Sequence, residues 1–193
     1  RSSDLKSTPQ SNSTNATLIF SFTLNRRVYD FSDYGEPPQL AIWLQDPNSG
    51  EIRTVWVTYR TAANKWKGKI ECPISLPYWT SRLKNETQTI GSQTSHRPVP
   101  DALTGATPKH TFTVNYEITE SSTWNYFIEV NVSGDYNRHF PSTRPNGAPD
   151  PHGNGQPSIV YKGSIKAMNN ACDIPELIGR TDQWRPINYL ISN

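Results

Sequence analysis

The stretch Thr111-Phe-Thr-Val-Asn-Tyr-Glu-Ile118 indicates the fold most clearly. From Phe112 to Ile118, an apolar residue occupies every second position, so these side chains share one face of an extended strand. A strand with one apolar face buries it against another layer, and in an all-β chain that layer is a second sheet. The stretch therefore predicts a half-buried strand in a β-sandwich.

The same alternation predicts five further strands, at residues 17–24, 39–45, 52–59, 124–132 and 158–167. Turn-forming residues at 46–50 and 120–123 join consecutive strands and suggest sequential antiparallel pairing. Two long segments rich in Pro, Gly, Ser and Thr, at 85–108 and 134–157, are expected to be irregular loops, and a short helix is expected around residues 78–84. We therefore predict an all-β, immunoglobulin-like antiparallel β-sandwich with long loops.

Length and composition indicate one domain. The chain has 193 residues, and we expect a flexible N-terminal tail at residues 1–15 followed by a single sandwich domain at 16–193. The net charge is +2 and the Lys and Arg residues are scattered, which argues against a nucleic-acid partner. No apolar run reaches the length of about 20 residues that crosses a bilayer, so the chain is not expected to span a membrane.

The chain begins with Arg1 rather than Met and continues with a polar segment, as expected of a processed, exported protein in the periplasm or outside the cell. Cys72 and Cys172 form no CxxC motif. In an oxidising compartment we expect them to pair in a disulfide, which would stabilise the fold by about 4 kcal/mol, while two buried thiols are the alternative.

The segment Asp101-Ala-Leu-Thr-Gly-Ala-Thr107 contains the most specific chemistry. Gly105 permits a tight backbone excursion, Ala106 adds no bulk, and Pro108 fixes the exit of the segment. We expect Thr107 to present its hydroxyl on an exposed loop, as an acceptor for a phosphoester-forming transferase must. The alternative is that the segment is only a turn leading into the strand at Thr111.

The residues Asp101, Thr104, Gly105, Ala106 and Thr107 match a D-x-x-[S/T]-G-A-[S/T] pattern. This pattern resembles the signature of proteins that receive FMN from the bacterial periplasmic FMN transferase, a magnesium-dependent enzyme that uses FAD. The resemblance implies a covalent FMN on Thr107 through a phosphoester, with Asp101 recognised by the transferase. Thr104, Gly105 and Ala106 would shape the loop.

Four sequence blocks resemble the predicted periplasmic proteins called domain of unknown function 2271. The blocks lie at residues 38–46, 53–57, 101–107 and 155–161, and the resemblance covers most of residues 17–167. It implies a bacterial, exported β-sandwich that occurs near flavin transferases and membrane redox proteins.

A bound flavin would need an aromatic or apolar surface for its ring and positive charge near its phosphate. Trp79 is the expected stacking partner, although tryptophans in a sandwich usually serve core packing. Other aromatic candidates are Tyr78, Trp43, Trp56 and Trp66. Arg97, Lys109 and His110 lie close enough in sequence to offset the phosphoester charge, but a solvated loop with a few charges is the more common reading.

Other kinds of site have weaker support in the sequence. His139, Asp150 and His152 share one loop but lack a second strong ligand pair, so no metal site is expected. The G-x-S-x-G and HExxH signatures are absent, and we do not expect an enzyme.

The sequence therefore leads to the hypothesis of an extracytoplasmic electron carrier with covalent FMN, which exchanges electrons with a membrane or surface redox protein. One alternative is a carbohydrate-binding or adhesion module that uses exposed aromatic residues. Another is a structural subunit of an extracellular assembly, with strand edges as the interface.

Overall fold

The computed structural model describes residues 14–30, 38–65, 72, 74–87, 103–106, 108–132, 134–151, 153–181 and 190–191. The strands in chain order are β1 (Asn15–Thr23), β2 (Gln39–Gln45), β3 (Ile52–Thr58), β4 (Leu103–Gly105), β5 (Thr111–Thr119), β6 (Thr123–Asn131), β7 (Ile159–Lys166), β8 (Glu176–Thr181) and β9 (Leu190–Ile191). The helices are α1 (Arg26–Asp30), α2 (Tyr59–Ala63) and α3 (Pro77–Thr87).

The strands form two sheets. A small sheet pairs β1 with β5, and a large sheet has the order β4-β3-β2-β6-β7-β8-β9. Neighbouring strands are antiparallel except for β3 and β4, which run parallel. The predicted all-β sandwich is confirmed, whereas this division into two and seven strands does not confirm the immunoglobulin-like part of the expectation.

One core lies between the two sheets. Leu18 and Phe20 of β1 point inward, as the alternation predicts, and the Phe20 ring meets Tyr126 of β6 edge-on with 5.6 Å between centroids. Apolar residues of β2, β3 and β6 that face the small sheet belong to the same buried cluster. They are Leu40, Ile42, Leu44, Val55, Trp56, Trp124, Tyr126 and Ile128. Burial of apolar surface from both sheets is the main source of the stability of this layer pair.

A second core lies on the opposite face of the large sheet, beneath α3. The rings of Trp43 and Phe127 stack there with 5.2 Å between centroids, and Tyr78 and Trp79 of α3 pack in the same cluster. Because both faces of β2 are covered, six of its seven residues are buried. The central strands therefore form the middle of three layers, with the small sheet on one side and α3 on the other.

The structure differs from the expected connections in two places. Residues 120–122 do not close a hairpin, because β5 pairs with β1 while β6 pairs with β2 and β7. The chain turns from one sheet to the other at Ser121, whose φ is 65° and whose N–H donates to the Ala167 carbonyl. In addition, β8 follows Cys172, where the alternation predicts no strand, and the expected loop at 85–108 contains β4.

The predicted helix around residues 78–84 is confirmed as α3. The predicted N-terminal tail lies outside the described residues except for Thr14 and Asn15, and Asn15 already begins β1. Among the described residues, no helix is long and apolar enough to cross a membrane.

Candidate functional site

The flavinylation-like segment begins on an edge of the large sheet. Leu103–Gly105 form β4, which runs parallel to β3 with Gly105 opposite Thr58. Gly105 lies against the indole ring of Trp56, and a Cβ at this position would approach the Trp56 Nε1 to 3.1 Å. The glycine of the motif therefore has a packing reason in this structure, because a larger residue would push β4 away from β3.

The chain leaves the sheet directly after Gly105. Ala106 is exposed, and Lys109 and His110 are exposed on the way into β5. The backbone of Thr104 belongs to β4. The predicted acceptor Thr107, together with Asp101 and Arg97, lies outside the described residues.

Trp79 does not provide a surface for a flavin. Its side chain is fully buried beneath α3, and its indole N–H donates to the Thr54 hydroxyl at 3.1 Å. The prediction of Trp79 as a stacking partner is therefore wrong, because no ring face reaches solvent.

The aromatic side chains closest to the motif are instead Trp56 and its neighbours. Phe112 of β5 lies 5.2 Å from the Trp56 ring and stacks on Phe22 of β1 with the same centroid distance. Trp56 is 7% exposed, whereas Phe112 and Phe22 are half-buried. The apolar surface near β4 is therefore the Phe22–Phe112 pair rather than a tryptophan.

The exposed tryptophans expected for sugar binding are not found in the described part of the chain. Trp43, Trp56, Trp79 and Trp124 are all buried, and the largest exposed fraction among them is 7%. Trp66 and Trp184 lie outside the described residues. In the described part of the chain, the exposed aromatic side chain is Tyr59, at 45%, and no exposed tryptophan accompanies it.

A buried hydrogen-bond network occupies the end of the large sheet at which β4 terminates. The Thr61 hydroxyl donates to Gln39 Oε1 at 2.9 Å and shares a hydrogen bond of 2.7 Å with Ser75 Oγ. Asn131 donates its side-chain N–H to the Ser75 carbonyl at 2.6 Å, and Thr58 donates to Thr61 at 3.3 Å. This network fixes the segment before α3 against the ends of β2, β3 and β6.

Glu129 of β6 is the buried charge-bearing residue of this region and was not identified from the sequence. Its carboxylate accepts hydrogen bonds from the backbone N–H of Tyr78 at 3.0 Å, the N–H of Trp79 at 2.7 Å and the Ser158 hydroxyl at 2.5 Å. Burial raises the pKa of Glu129 to about 7, although these three donors lower it. A sequence signal existed, since Glu129 stands between the apolar residues Ile128 and Val130 in the middle of a strand.

The carboxylate of Glu129 serves as a cap for α3. Pro77 occupies the first position of the helix, where its missing N–H costs nothing, and the preceding Leu76 has no polar side chain to cap it. Glu129 therefore supplies, from a neighbouring strand, the acceptor that a local capping residue would normally supply. This explains its burial without a catalytic role.

The predicted disulfide between Cys72 and Cys172 is absent from the structure. Cys72 is buried and donates its thiol to the Gly153 carbonyl at 3.0 Å. Cys172 is exposed on the loop that follows β7, beside Tyr126. Because the two residues have different neighbours and only one of them is buried, the fold does not bring them together.

The loop with the histidines is held by hydrogen bonds of its own. Asp150 accepts from the backbone N–H groups of Asn154 at 3.1 Å and Gly155 at 3.2 Å. His139 is exposed, and His152 lies outside the described residues. In the described ranges, no group of three or more His, Cys, Asp or Glu side chains is close enough to hold a metal ion.

Comparisons of the chain with protein-family models, with curated proteins and with solved structures give no match. The function is therefore inferred from the residues of this chain and their surroundings.

Proposed function

We propose that this protein is an extracytoplasmic electron carrier that holds FMN covalently through Thr107. The observation that carries the proposal is the path of the chain at Gly105 and Ala106. Gly105 is packed on Trp56 at the sheet edge, and the next residue, Ala106, is already exposed. The Thr107 hydroxyl follows directly after the point where the chain leaves the sheet. It would therefore be accessible to a transferase, while the preceding residues are held in place by β4.

The neighbouring residues fit a flavin phosphate and ring. Lys109 and His110 are exposed within three residues of Thr107, where they can offset the charge of a phosphoester. Phe112 and Phe22 offer half-buried apolar surface on the adjoining strands. The absent Cβ of Gly105 keeps β4 close to this surface.

The attachment step joins two molecules without an added oxidant. The Thr107 oxygen forms a bond to the FMN phosphorus of FAD, the pyrophosphate bond breaks, AMP leaves, and the hydroxyl proton is released. FMN supplies reversible electron transfer when it is bound. The chain would position the flavin at the edge of β4, so that a membrane or surface redox protein can approach it.

The test is the intact mass of the full chain produced together with a bacterial FMN transferase. We expect a mass increase of one FMN minus one water that survives denaturation and is lost in Thr107→Ala. Thr111→Ala is the matched control, because Thr111 is an exposed threonine on the same stretch and lies outside the motif. An unmodified mass in the presence of active transferase, or the same loss in both variants, would contradict the proposal.

The role of Asp101 can be tested in the same system. If the transferase recognises this carboxylate, Asp101→Asn should reduce the fraction of modified chain without changing its thermal stability. Asp46→Asn is a suitable control, since Asp46 accepts from the N–H groups of Asn48 and Ser49 in the β2–β3 turn, away from β4. Equal modification of the parent and Asp101→Asn would remove Asp101 from the recognition role.

A further inference from the structure

The small sheet covers only part of the large sheet, and a groove runs along the outer edge of β1. The groove has a volume of about 790 Å³ and lies between β1 and the loop 167–175 that follows β7. Tyr126, Ile128 and Ile165 are among its lining residues. The large sheet therefore continues beyond β1. Among the described residues, the small sheet has no further strand that covers it there.

The register of β1 shows which of its backbone groups face this groove. Leu24 donates to the His110 carbonyl, and Glu120 donates to the Thr14 carbonyl, so the even-numbered residues of β1 bond to β5. The odd-numbered residues, from Asn15 to Thr23, therefore direct their N–H and C=O groups away from β5. Within the described residues, no backbone partner on that side is found for them.

β1 also lacks the features that usually protect an edge strand. Its nine residues, Asn-Ala-Thr-Leu-Ile-Phe-Ser-Phe-Thr, include no charge, no proline and no glycine. Its register with β5 has no bulge. Edge strands without such features are templates for pairing with another strand.

Apolar side chains are exposed around the same groove. Ile19 and Met168, both lining residues, are 67% and 56% exposed, and Ile174, next to Asp173, is 83% exposed. Three of the five large exposed apolar side chains in the described residues are thus in the groove or next to one of its lining residues.

The dimensions of the groove suit one extended strand. A strand in a sandwich takes up about 3.3 Å of length, about 4.8 Å of width and about 10 Å of depth per residue, or about 160 Å³. The volume of about 790 Å³ then holds about five residues. Ile165 and Lys166 of β7 line this space, so a strand added there would contact the large sheet as well as β1.

We propose that the groove binds residues 187–191 of a second copy of this chain as an added strand beside β1. The sequence there is Ile187-Asn-Tyr-Leu-Ile191, in which every second residue is apolar and which matches the capacity of the groove. Residues 187–193 contain no charged side chain, and neither does β1. The alternate apolar side chains of the segment would pack on Ile165 at the bottom of the groove. Main-chain hydrogen bonds would join the segment to the odd-numbered residues of β1.

Binding to another copy requires the described part of this segment to leave the sheet of its own chain. Its described part, Leu190–Ile191, extends the large sheet by only two residue pairs, with Thr181 and Arg180 of β8. Because donor segment and groove are different surfaces, the contact is head-to-tail and would give open chains or closed rings of copies, according to the rotation between neighbours. The proposal does not depend on flavin attachment, since the groove lies over β6 and β7, whereas β4 borders β3 at the edge of the large sheet, and Phe22 borders both places.

The first test measures binding of a fluorescein-labelled peptide of residues 185–193 to the full chain by anisotropy. We expect saturable binding that weakens at least tenfold in Ser21→Pro, which removes an N–H on the groove side of β1. Thr113→Pro is the matched control, because it makes the same change on the outer edge of β5, and it should change affinity less than twofold. Ile19→Lys gives a second groove-side variant at an exposed position.

The second test uses the native Cys172 on the rim of the groove. In a Cys72→Ser background, Asn188→Cys should give a ladder of disulfide-linked species on mild oxidation, and Cys172→Ser should abolish the ladder. Asn115→Cys, on the exposed face of β5, should give none. A peptide that does not bind, equal weakening by both proline variants, or a link formed only within one chain would overturn the proposal.

Discussion

The substitution Glu129→Gln replaces a buried acid by a neutral side chain of the same shape and tests how stability depends on pH. Burial raises the pKa of Glu129 to about 7, against an ordinary value of 4.5. The folded protein thus holds the proton more tightly than the unfolded chain does. The resulting stabilisation is fully present below about pH 4.5 and is lost as the pH rises through about 7.

The expected magnitude follows from the two pKa values. At about 1.4 kcal/mol per pKa unit, a rise from 4.5 to about 7 corresponds to about 3 kcal/mol of unfolding free energy. Glutamine places an NH2 group where one carboxyl oxygen of Glu129 stands, and this group cannot accept the N–H of Tyr78 or Trp79 that the replaced oxygen accepts. The variant should therefore be less stable than the parent at pH 4.5, by about 1–3 kcal/mol.

Urea denaturation followed by tryptophan fluorescence at several pH values between 4.5 and 8 measures both effects. We expect the stability difference between parent and Glu129→Gln to shrink by about 3 kcal/mol across this range and to approach zero or change sign at pH 8. Glu117→Gln, on the exposed face of β5, should differ from the parent by the same small amount at every pH. A difference for Glu129→Gln that grows with pH would refute the reasoning, because the three donors would then keep the carboxylate ionised.

Three further predictions concern close packing and the cysteines. Gly163→Ala should lower the free energy of unfolding by more than about 2 kcal/mol in urea denaturation, because a Cβ would overlap the buried ring of Tyr126; an unchanged midpoint would contradict this packing. Gly105→Ala should destabilise by about 1 kcal/mol, through contact with Trp56, and should lower the fraction of chain modified by the FMN transferase. In the native protein a thiol reagent should label Cys172 but not the other cysteine, and denatured, non-reduced protein should show two labelled thiols; no labelling would mean that the disulfide forms.

Much of the fold follows from period-two alternation. The strands at β1 and β5 each face water on one side, so their apolar residues recur at every second position and the sequence identifies both strands and their inward faces. The arrangement of the strands is harder to predict. Residues 120–122 read as a hairpin turn, yet the left-handed Ser121 directs the chain into the other sheet, and local sequence does not distinguish these outcomes.

The missed strand β8 has a physical explanation as well. Its sequence Glu-Leu-Ile-Gly-Arg-Thr lacks alternation, because Ile178 packs toward α3 while its neighbour Leu177 remains 46% exposed. The pairing with β7 also shifts register between Val160 and Tyr161. A strand whose faces are only partly covered leaves no periodic signal.

A functional residue was easier to predict from the sequence when its partners lie close to it along the chain. The motif at residues 101–107 is contiguous, so its pattern is visible in the sequence, and the structure adds the reason for Gly105. The role of Glu129 depends on α3, whose first residues lie about fifty positions earlier in the chain. Trp79 could be assigned to the core or to a surface only when the packing of α3 was known.

The two proposed sites use different strands of the large sheet, and Phe22 of β1 borders both of them. β4 borders β3 at one end of the large sheet, whereas the groove lies over β6 and β7, beyond β2. Thr107→Ala should therefore abolish flavin attachment and leave binding of the 185–193 peptide unchanged, and Ser21→Pro should do the reverse. If either substitution removed both properties while the thermal stability stayed at the parent value, the sites would be coupled. In that case the flavin-bearing edge would take part in the contact between copies, which this arrangement of strands does not predict.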